Sequence, residues 1–369
     1  MRPELYTVDQ YGLPLNRIGG LADAISCTVT EELNGKFTLT LEQPPGTQLW
    51  NELQIGRAIR AISNRITEVA DPSRNPQTFL ITKRERTLGG VVRITAEHVS
   101  YLYAGCVVKA FANNGFRFSA LTAWQRGLQN AIMPLEYGGA THSADLTTQA
   151  DAEIHVLTPI SWRDYVYNML IPAYGGELRY NDLNVWWMDS RGKNRGAKIN
   201  YGGNMMSLTA VDADSSMPTG FYPYYGKLGD EGRPYLALTQ DPVVISYTQA
   251  AGALYVRNEA VDLTSRFETA PATDAELRAV AEAFRDERVL AAIPESLTVS
   301  HADIAGDTMI GVGDSVLVRY LAFGIEQTRK VQSLTFDVLN ERIKSITLGN
   351  KMPSLAETIL KYGGINSVK

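Results

Sequence analysis

The hydrophobic and polar positions of the first hundred residues alternate with a period of two, as in half-buried β-strands. Apolar and polar side chains alternate through residues 36–42, and the Asn34-Gly35 pair just before them is a strong hairpin turn. Two more strands are predicted at 79–82 and 91–96, separated by a glycine turn at 88–90. Short strands joined by glycine turns favour a barrel or a sandwich.

Helical spacing replaces this alternation between residues 111 and 200. The pattern predicts a short amphipathic helix from Ser119 to Gln129. A second helix is predicted to begin at Ser161, a good N-cap, and to end at Gly175-Gly176. The next strand pair, within 177–188, resembles a hairpin. This part of the chain therefore reads as a mixed α+β lobe.

Strand patterning returns after Tyr201 and continues towards the end of the chain. Thr273 and Glu276 form a capping box that opens a further amphipathic helix. Three later strands are predicted at 313–319, 331–338 and 343–348. The fold class predicted from these patterns is mainly β with α+β lobes.

The two β regions resemble each other. In the first, a strand led by Gly56 precedes a hairpin with its turn at 88–90; in the second, a strand led by Gly313 precedes a hairpin with its turn at 339–341. We interpret this echo as a structural duplication that yields two similar β-barrel domains. Three copies around a threefold axis would then present six similar units, which would match a sixfold partner.

The domain boundaries follow from these changes of pattern. We predict a first β-barrel domain, an α+β domain, a second β-barrel domain in two segments, a small inserted domain with one helix and a C-terminal tail. The corresponding ranges are 1–110, 111–200, 201–235 with 300–352, 236–299 and 353–369.

Composition narrows the classes of function. The net charge is −5 and no stripe of Lys and Arg is visible, which argues against sequence-specific nucleic-acid binding but allows DNA to pass without sticking. No apolar run approaches the ~20 residues that span a bilayer, and no secretory signal opens the chain, so we expect no membrane anchor and synthesis in the cytoplasm. Two cysteines, Cys27 and Cys106, exclude a disulfide framework and a four-cysteine zinc site.

Candidate catalytic residues are few and scattered. No histidine lies in a metal-binding motif, and no nucleophile elbow or Walker loop occurs. Cys106 has apolar neighbours, and Asp212 with Asp214 suits a strand face or turn better than a glycosidase pair. We therefore predict no catalytic, cofactor-binding or metal site. The histidines considered, with His98 interpreted as structural, are His98, His142, His155 and His301.

Aromatic residues concentrate in two places. Trp186 and Trp187 could stack on sugars, but such residues more often fill cores or protein interfaces. For Phe221–Tyr225 we favour an interface, because Gly220 and Gly226 bracket the segment and Pro223 interrupts it.

Four stretches, in order along the chain, carry a resemblance to a known family. The chain resembles the amino-terminal hub region of tail-associated proteins from siphophages and prophages of Gram-positive bacteria, a family often labelled prophage tail endopeptidase or phage minor structural protein. The four stretches are Ile94–Tyr101, Tyr174–Asn204, Val261–Thr264 with the Thr273 helix and Pro294, and Val312–Val316 with Lys330-Val331 and Leu348-Gly349.

The resemblance implies a fold like the baseplate hub of contractile phages, with two similar β-barrel domains and two smaller lobes assembled as a homotrimer. Six barrels of the trimer would form a pseudo-sixfold ring beneath the hexameric distal tail protein and the tail tube. The implied function is a structural tail-tip protein at the distal end of the virion tail. Its implied partners are the distal tail protein, the tail tube, the tape-measure protein and receptor-binding or fibre proteins, with a passage for DNA and no cofactor.

Larger relatives continue past the hub into a lysin or a receptor-binding fibre, whereas this sequence stops at Lys369, soon after the amphipathic stretch Leu355–Leu360. We therefore expect the residues for hydrolysis to be missing and the protein not to be an enzyme. The alternative hypothesis is a tail-associated cell-wall hydrolase, a peptidase or glycosidase acting during entry. A third is a carbohydrate-binding module that uses Trp186 and Trp187.

Overall fold

The computed structural model describes most of the chain, and the fold below refers to that part. The predicted tail at 353–369, including Leu355–Leu360, lies outside it, as do Pro294 and Asp214. The described residues are 2–64, 76–86, 88, 90–112, 116–134, 137, 142–146, 151–152, 154–212, 220–228, 234–238, 241–244, 258–267, 270–287, 295–301 and 310–349.

The chain separates into two compact units. The first unit comprises Met1–Thr209 and Leu297–Gly349, and the second includes Ala210–Ser296. The second unit is thus an insertion into the first, between two strands of its sheet.

The strands before the first helix are β1 (Glu4–Val8), β2 (Pro14–Gly20), β3 (Ser26–Glu32), β4 (Phe37–Gln43), β5 (Ala58–Ala61), β6 (Gln77–Arg86), β7 (Val92–His98) and β8 (Val107–Val108). Those of the middle of the chain are β9 (Ala131–Ile132), β10 (His142–Asp145), β11 (Ile160–Ser161), β12 (Glu177–Asn181), β13 (Asn184–Met188), β14 (Asn194–Asn200) and β15 (Met205–Asp212). The remaining strands are β16 (Gly220–Leu228), β17 (Pro234–Leu238), β18 (Val243–Val244), β19 (Asn258–Asp262), β20 (Glu295–His301), β21 (Ser315–Tyr320), β22 (Ile325–Asp337) and β23 (Arg342–Gly349).

Three helices accompany these strands. Helix α1 is Ala120–Asn130, and helix α3 is Asp274–Glu287. Helix α2 is made of three consecutive segments, Trp162–Asp164, the π-helical Tyr165–Leu170 and Ile171–Tyr174. Short 3₁₀ turns occupy Val99–Gly105, Thr264–Arg266 and Leu321–Phe323.

Thirteen of the described strands form one sheet. Its order is β15-β20-β23-β22-β3-β4-β7-β6-β5-β1-β2, and β21 joins β14 to β22. The two predicted β regions meet where β22 pairs antiparallel with β3, from Ser333 opposite Glu32 to Asp337 opposite Thr28. The strand-rich character predicted from the sequence is confirmed. Among the described strands no closed barrel forms; the two regions share one continuous ladder.

The core of this sheet follows from strand alternation. On β3, Cys27, Val29 and Glu31 point inward while their neighbours are half-buried, because successive side chains point to opposite faces. On β22 the same alternation buries Leu334 and Phe336. A single apolar cluster runs across both β regions of the first unit.

The middle of the first unit is a lobe in which helices and two three-stranded sheets share one core. Ser119 caps α1 by accepting the Thr122 N–H, and Ser161 caps α2 by accepting the Asp164 N–H, the second as predicted. The predicted hairpin is β12–β13, with β10 parallel to β13. A cluster rich in aromatic side chains fills the lobe, including Trp124, Trp162, Tyr165, Tyr174 and Trp187.

The second unit is a small α+β arrangement. Strand β16 pairs with β17, β18 and β19, and α3 packs beside them. The predicted capping box opens α3: Thr273 Oγ1 accepts the Glu276 N–H, and the Glu276 carboxylate accepts the Ala272 N–H. Its core contains Phe221, Val243, Val261, Leu263, Ala281 and Phe284. None of the described helices in either unit has the length and apolarity needed to cross a membrane.

Candidate functional site

The glycine-led turns at Gly56 and Gly313 make the same pair of backbone hydrogen bonds. The Gly56 N–H donates to the Ile81 carbonyl at 3.1 Å, and the Ile81 N–H donates back to the residue after the glycine at 2.9 Å. The Gly313 N–H donates to the Val331 carbonyl at 2.9 Å, and the Val331 N–H donates to the carbonyl of Asp314, again the residue after the glycine, at 2.8 Å. Both glycines have positive φ, +82° and +92°, a conformation that favours glycine.

The strands after each turn also match. The register of β6 on β7 shifts between Ile81 and Lys83, and the register of β22 on β23 shifts between Val331 and Ser333. A β-bulge therefore follows the glycine-bonded residue in both halves. The strand order β3-β4-β7-β6-β5-β1 corresponds to β15-β20-β23-β22-β21-β14. One difference is that β1 runs antiparallel to β5, whereas β14 runs parallel to β21.

The internal repeat visible in the sequence thus corresponds to two halves that share their turn hydrogen bonds, the position of a β-bulge and the order of their strands. Each half of the ladder is one unit of this arrangement. The contact between β22 and β3 joins the second half to the first within a single chain.

Six charged side chains connect the second half, the lobe and β3; we call this set the polar joint. Its members are Glu31, Glu177, Arg191, Arg195, Asp314 and Lys330. The most buried pair is Glu31 Oε1 with Arg191 Nη1, 2.6 Å apart, each side chain being 6% exposed. Removal of either partner would leave an uncompensated charge in the interior.

Asp314, which is next to the second glycine, accepts hydrogen bonds from three residues of the polar joint and its surroundings. Its Oδ2 accepts from Arg195 Nε and from the Gly311 N–H, both at 2.8 Å, and its Oδ1 accepts from the Lys193 N–H at 2.7 Å. The third pair is Glu177 with Lys330, whose Nζ lies 2.5 Å from Oε1. Every charge of the joint is therefore neutralised by another residue of the chain.

Two glycines allow the backbones of the polar joint to touch. A Cβ on Gly192 would lie 2.1 Å from the Gly313 carbonyl carbon, and a Cβ on Gly313 would lie 2.5 Å from the Arg191 carbonyl oxygen. No larger residue fits either position without moving the chain. The Arg191-Gly192 and Gly313-Asp314 motifs, which are far apart in sequence, are thus two sides of one contact.

The predicted hairpin turn at Asn34 connects the sheet to the lobe. Asn34 has φ +49°, its Nδ2 donates to the Gly176 carbonyl at 2.8 Å, and its Oδ1 accepts the Leu178 N–H at 2.7 Å. The sequence predicted the turn, but this second role depends on a partner more than 140 residues away.

His98 is buried and structural, as its sequence context indicated. Nδ1 lies 2.9 Å from Ser100 Oγ, Nε2 lies 3.1 Å from Gln77 Oε1, and the ring stacks on Phe37 at 4.1 Å. Burial, with Arg163 nearby, lowers the pKa of His98 to about 3. The ring therefore stays neutral, without access to a substrate.

The other candidate catalytic residues do not come together. Tyr103 Oη lies 2.9 Å from His142 Nε2 inside the lobe, and His155 is half-buried between two apolar residues. Burial raises the pKa of Cys27, and it raises the pKa of Cys106 to about 11, so neither thiol is poised to ionise. Among the described side chains, which do not include those of His301, Asp212 and Asp214, no group of three metal ligands occurs.

The aromatic candidates serve mainly as core. Trp187 is fully buried and donates to the Gly175 carbonyl at 3.0 Å, while Trp186 lies under the guanidinium of Arg179 at 5.0 Å. The interface predicted for residues 221–225 is wrong for its two ends. Phe221 and Tyr225 are 1% and 3% exposed, because strand alternation turns both into the second unit's interior.

Comparison with known proteins identifies the fold. No family model matches the chain, and neither does any curated protein. Among solved structures, the chain is similar to the prophage tail protein gp18 of Listeria monocytogenes EGD-e, with a TM-score of 0.57 and 12% identity over 98% of both chains. It is also similar to the 43 kDa tail protein of prophage MuSo2 from Shewanella oneidensis (TM-score 0.60, 12% identity, 94% of this chain and 98% of that one). A tail protein of Neisseria meningitidis MC58 matches with a TM-score of 0.57 and 9% identity over 95% and 96% of the two chains. The similarity is thus not confined to Gram-positive bacteria, and the chain has the fold of these prophage tail proteins.

Proposed function

We propose that this protein is a structural baseplate-hub or tail-tip subunit of a phage or prophage tail. In this role three copies form a ring that joins the hexameric tail tube and distal tail protein to the tip. The ring leaves an axial passage for DNA at the distal end of the virion tail. The fold supports the proposal, because three similar structures described as tail proteins align over nearly their whole length.

The observation that carries the proposal is the duplication within the ladder. Two halves with matched turns at Gly56 and Gly313 and matched bulges make one chain a pair of similar units. Three such chains around one axis present six units, the number that a sixfold tube requires. The two predicted barrels, built from the strands of the ladder and without β16 and β17 of the second unit, would be completed by this ring.

The charges of the chain fit a passage for DNA better than a DNA-binding surface. The net charge is −5, and the basic side chains Arg191, Arg195 and Lys330 are paired with carboxylates in the polar joint. A net negative charge disfavours the retention of phosphate groups that pass through such a ring. The tape-measure protein and receptor-binding or fibre proteins are further partners in this proposal.

The proposed role is mechanical and does not include catalysis. Its support is that His98, Cys27 and Cys106 are held in interior positions, and that the ion pairs of the polar joint neutralise one another. Tight, mutually satisfied contacts suit a subunit that must keep its shape within a ring.

Electron microscopy of tail particles with a gold-labelled antibody against this chain tests the proposal. We expect label at the distal end of the tail, and we expect the purified chain to have three times its sequence mass by sedimentation. Label elsewhere on the particle, or its absence from tails, would overturn the assignment. Clearing of a peptidoglycan suspension by the purified chain would instead favour the hydrolase.

A further inference from the structure

Within a single chain, one strand contact of the second half, between β22 and β3, has no counterpart in the first half. In the second half, residues 325–330 of β22 pair with β21, and residues 333–337 pair with β3. In the first half, residues 77–80 of β6 pair with β5. The rest of that β6 edge, residues 83–86, has no strand beside it among the described strands.

A second edge without a neighbour among the described strands lies at the far end of the sheet. Strand β15 is the last strand of the ladder, and its described pairing is with β20 on one side alone. In the duplicated arrangement β15 corresponds to β3, since each is the outer neighbour of a matching strand. β15, the counterpart of the β3 strand that β22 pairs with, therefore has an outer edge with no described strand beside it.

The backbone N–H and C=O groups of β6 point in the direction that this pairing requires. The Leu33 N–H donates to the Gln332 carbonyl at 2.7 Å, so the N–H and C=O of Leu334 face β3. Leu334 lies opposite Ile346, three residues after Val331 and its bulge. Arg84 lies opposite Ile94, three residues after Ile81 and the matching bulge. The N–H and C=O of Arg84 accordingly face the free edge.

We propose that residues 83–86 of β6 pair with β15 of a second copy of this chain, reproducing between chains the β22–β3 contact made within it. This inference rests on the proposed ring and names the contact that closes it. Each chain offers one edge of each kind, so the contact is head-to-tail and propagates in one direction.

The side chains at both edges suit a selective contact with another copy. Lys83 and Glu85 form an exposed ion pair at 2.8 Å, and charges on an edge strand hinder indiscriminate pairing. Near β15, Met206 is 72% and Tyr201 65% exposed. Large apolar side chains beside an open edge are the surface that a second copy would cover.

The test compares two substitutions at one position in the full chain. Arg84→Pro removes the outward N–H, while Arg84→Ala removes the guanidinium contacts to Trp50 and keeps the N–H. By sedimentation over a range of concentrations, Arg84→Ala should assemble as the unaltered chain does. Arg84→Pro should raise the concentration for half-assembly about tenfold or more, since ladder hydrogen bonds are lost. Equal assembly of the two variants would overturn the inference.

Cross-linking provides a measurement that does not depend on proline. Lys83→Cys is combined in turn with Met206→Cys, Ser207→Cys and Leu208→Cys, against a background in which Cys27 and Cys106 are buried. We expect at least one combination to form a disulfide between chains on mild oxidation, because paired strands bring Cβ atoms within bonding reach. A ring that forms without any such cross-link would refute the edge pairing and leave the ring standing. A chain that remains monomeric at its highest soluble concentration would overturn both.

Discussion

The buried ion pair of the polar joint makes the sharpest stability prediction. Arg191→Met removes the guanidinium and leaves the Glu31 carboxylate, 6% exposed, without its partner. Breaking a buried pair from one side typically costs about 3–5 kcal/mol. We expect the free energy of unfolding of the first unit to fall by about that amount. The double variant Glu31→Leu with Arg191→Met should recover much of it, because an apolar pair carries no stranded charge.

Tryptophan fluorescence during urea unfolding measures this effect in the right place. All five tryptophans lie in the first unit, so their signal reports its transition and not that of the second. The matched control is Arg319→Met, which breaks an exposed ion pair with Glu326, the two side chains being 47% and 49% exposed. Such surface pairs contribute at most about 1 kcal/mol.

The reasoning is refuted if Arg191→Met and Arg319→Met lower the unfolding free energy equally. It also fails if the losses from Glu31→Leu and Arg191→Met simply add in the double variant. Additivity would mean that the two charges do not interact across the joint.

Three further predictions concern other parts of the fold. The pKa of His98 is lowered to about 3 in the folded chain. Near pH 6.5 the unfolded chain therefore binds a proton at this residue, whereas the folded chain does not. The free energy of unfolding is consequently highest above that pH and declines below it. Between pH 7 and pH 5 we expect His98 to lower the free energy of unfolding, measured with urea, by about 2 kcal/mol. His98→Gln should remove this part of the pH dependence. Asn34→Ala should lower the first unit's unfolding free energy by about 2–3 kcal/mol, through two lost hydrogen bonds and an unfavourable φ, in the same fluorescence assay. Thr273→Ala should destabilise α3 by about 1 kcal/mol, measured as an earlier loss of far-ultraviolet circular dichroism with the tryptophan transition unchanged.

Each of these has a control within the chain. The His98→Gln variant loses the stacking on Phe37, so the comparison uses the slope of its unfolding free energy with pH and not its value at pH 7. An unchanged slope would show that other groups cause the decline. Asn34→Gly retains the positive φ and should lose less than Asn34→Ala; the reverse order would contradict the conformational part of the argument. A shift of the tryptophan transition in Thr273→Ala would mean that its effect is not confined to the second unit.

Local features of the fold were predictable from the sequence because they depend on neighbouring residues. The cap at Ser161, the capping box at Thr273 and the Asn34 turn each involve atoms within a few positions. The interface predicted at 221–225 is wrong at Phe221 and Tyr225 because the alternation within β16, and not the bracketing glycines, decides which side chains are buried.

Long-range features were predictable only in outline. The glycine-led echo at Gly56 and Gly313 was visible, but the matched bulges were not, since no residue type marks them. The pairing of Glu31 with Arg191 joins positions 160 apart, and a charge pattern alone does not select one partner among many. The continuous ladder likewise depends on the β22–β3 contact between the two ends of the chain.

The insertion of the second unit has a consequence for symmetry. In the first half, β3 and β4 are joined by the tight turn at 33–36, while in the second half their counterparts β15 and β20 are joined by residues 213–294, which carry the second unit. Around a ring of six similar halves, short and decorated connections would therefore alternate. A tube that contacts only the ladder would bind a surface that repeats six times around the ring. A partner that contacts the connections would bind a surface that repeats three times. In the proposed ring, this one hairpin position would therefore convert sixfold repetition into threefold repetition.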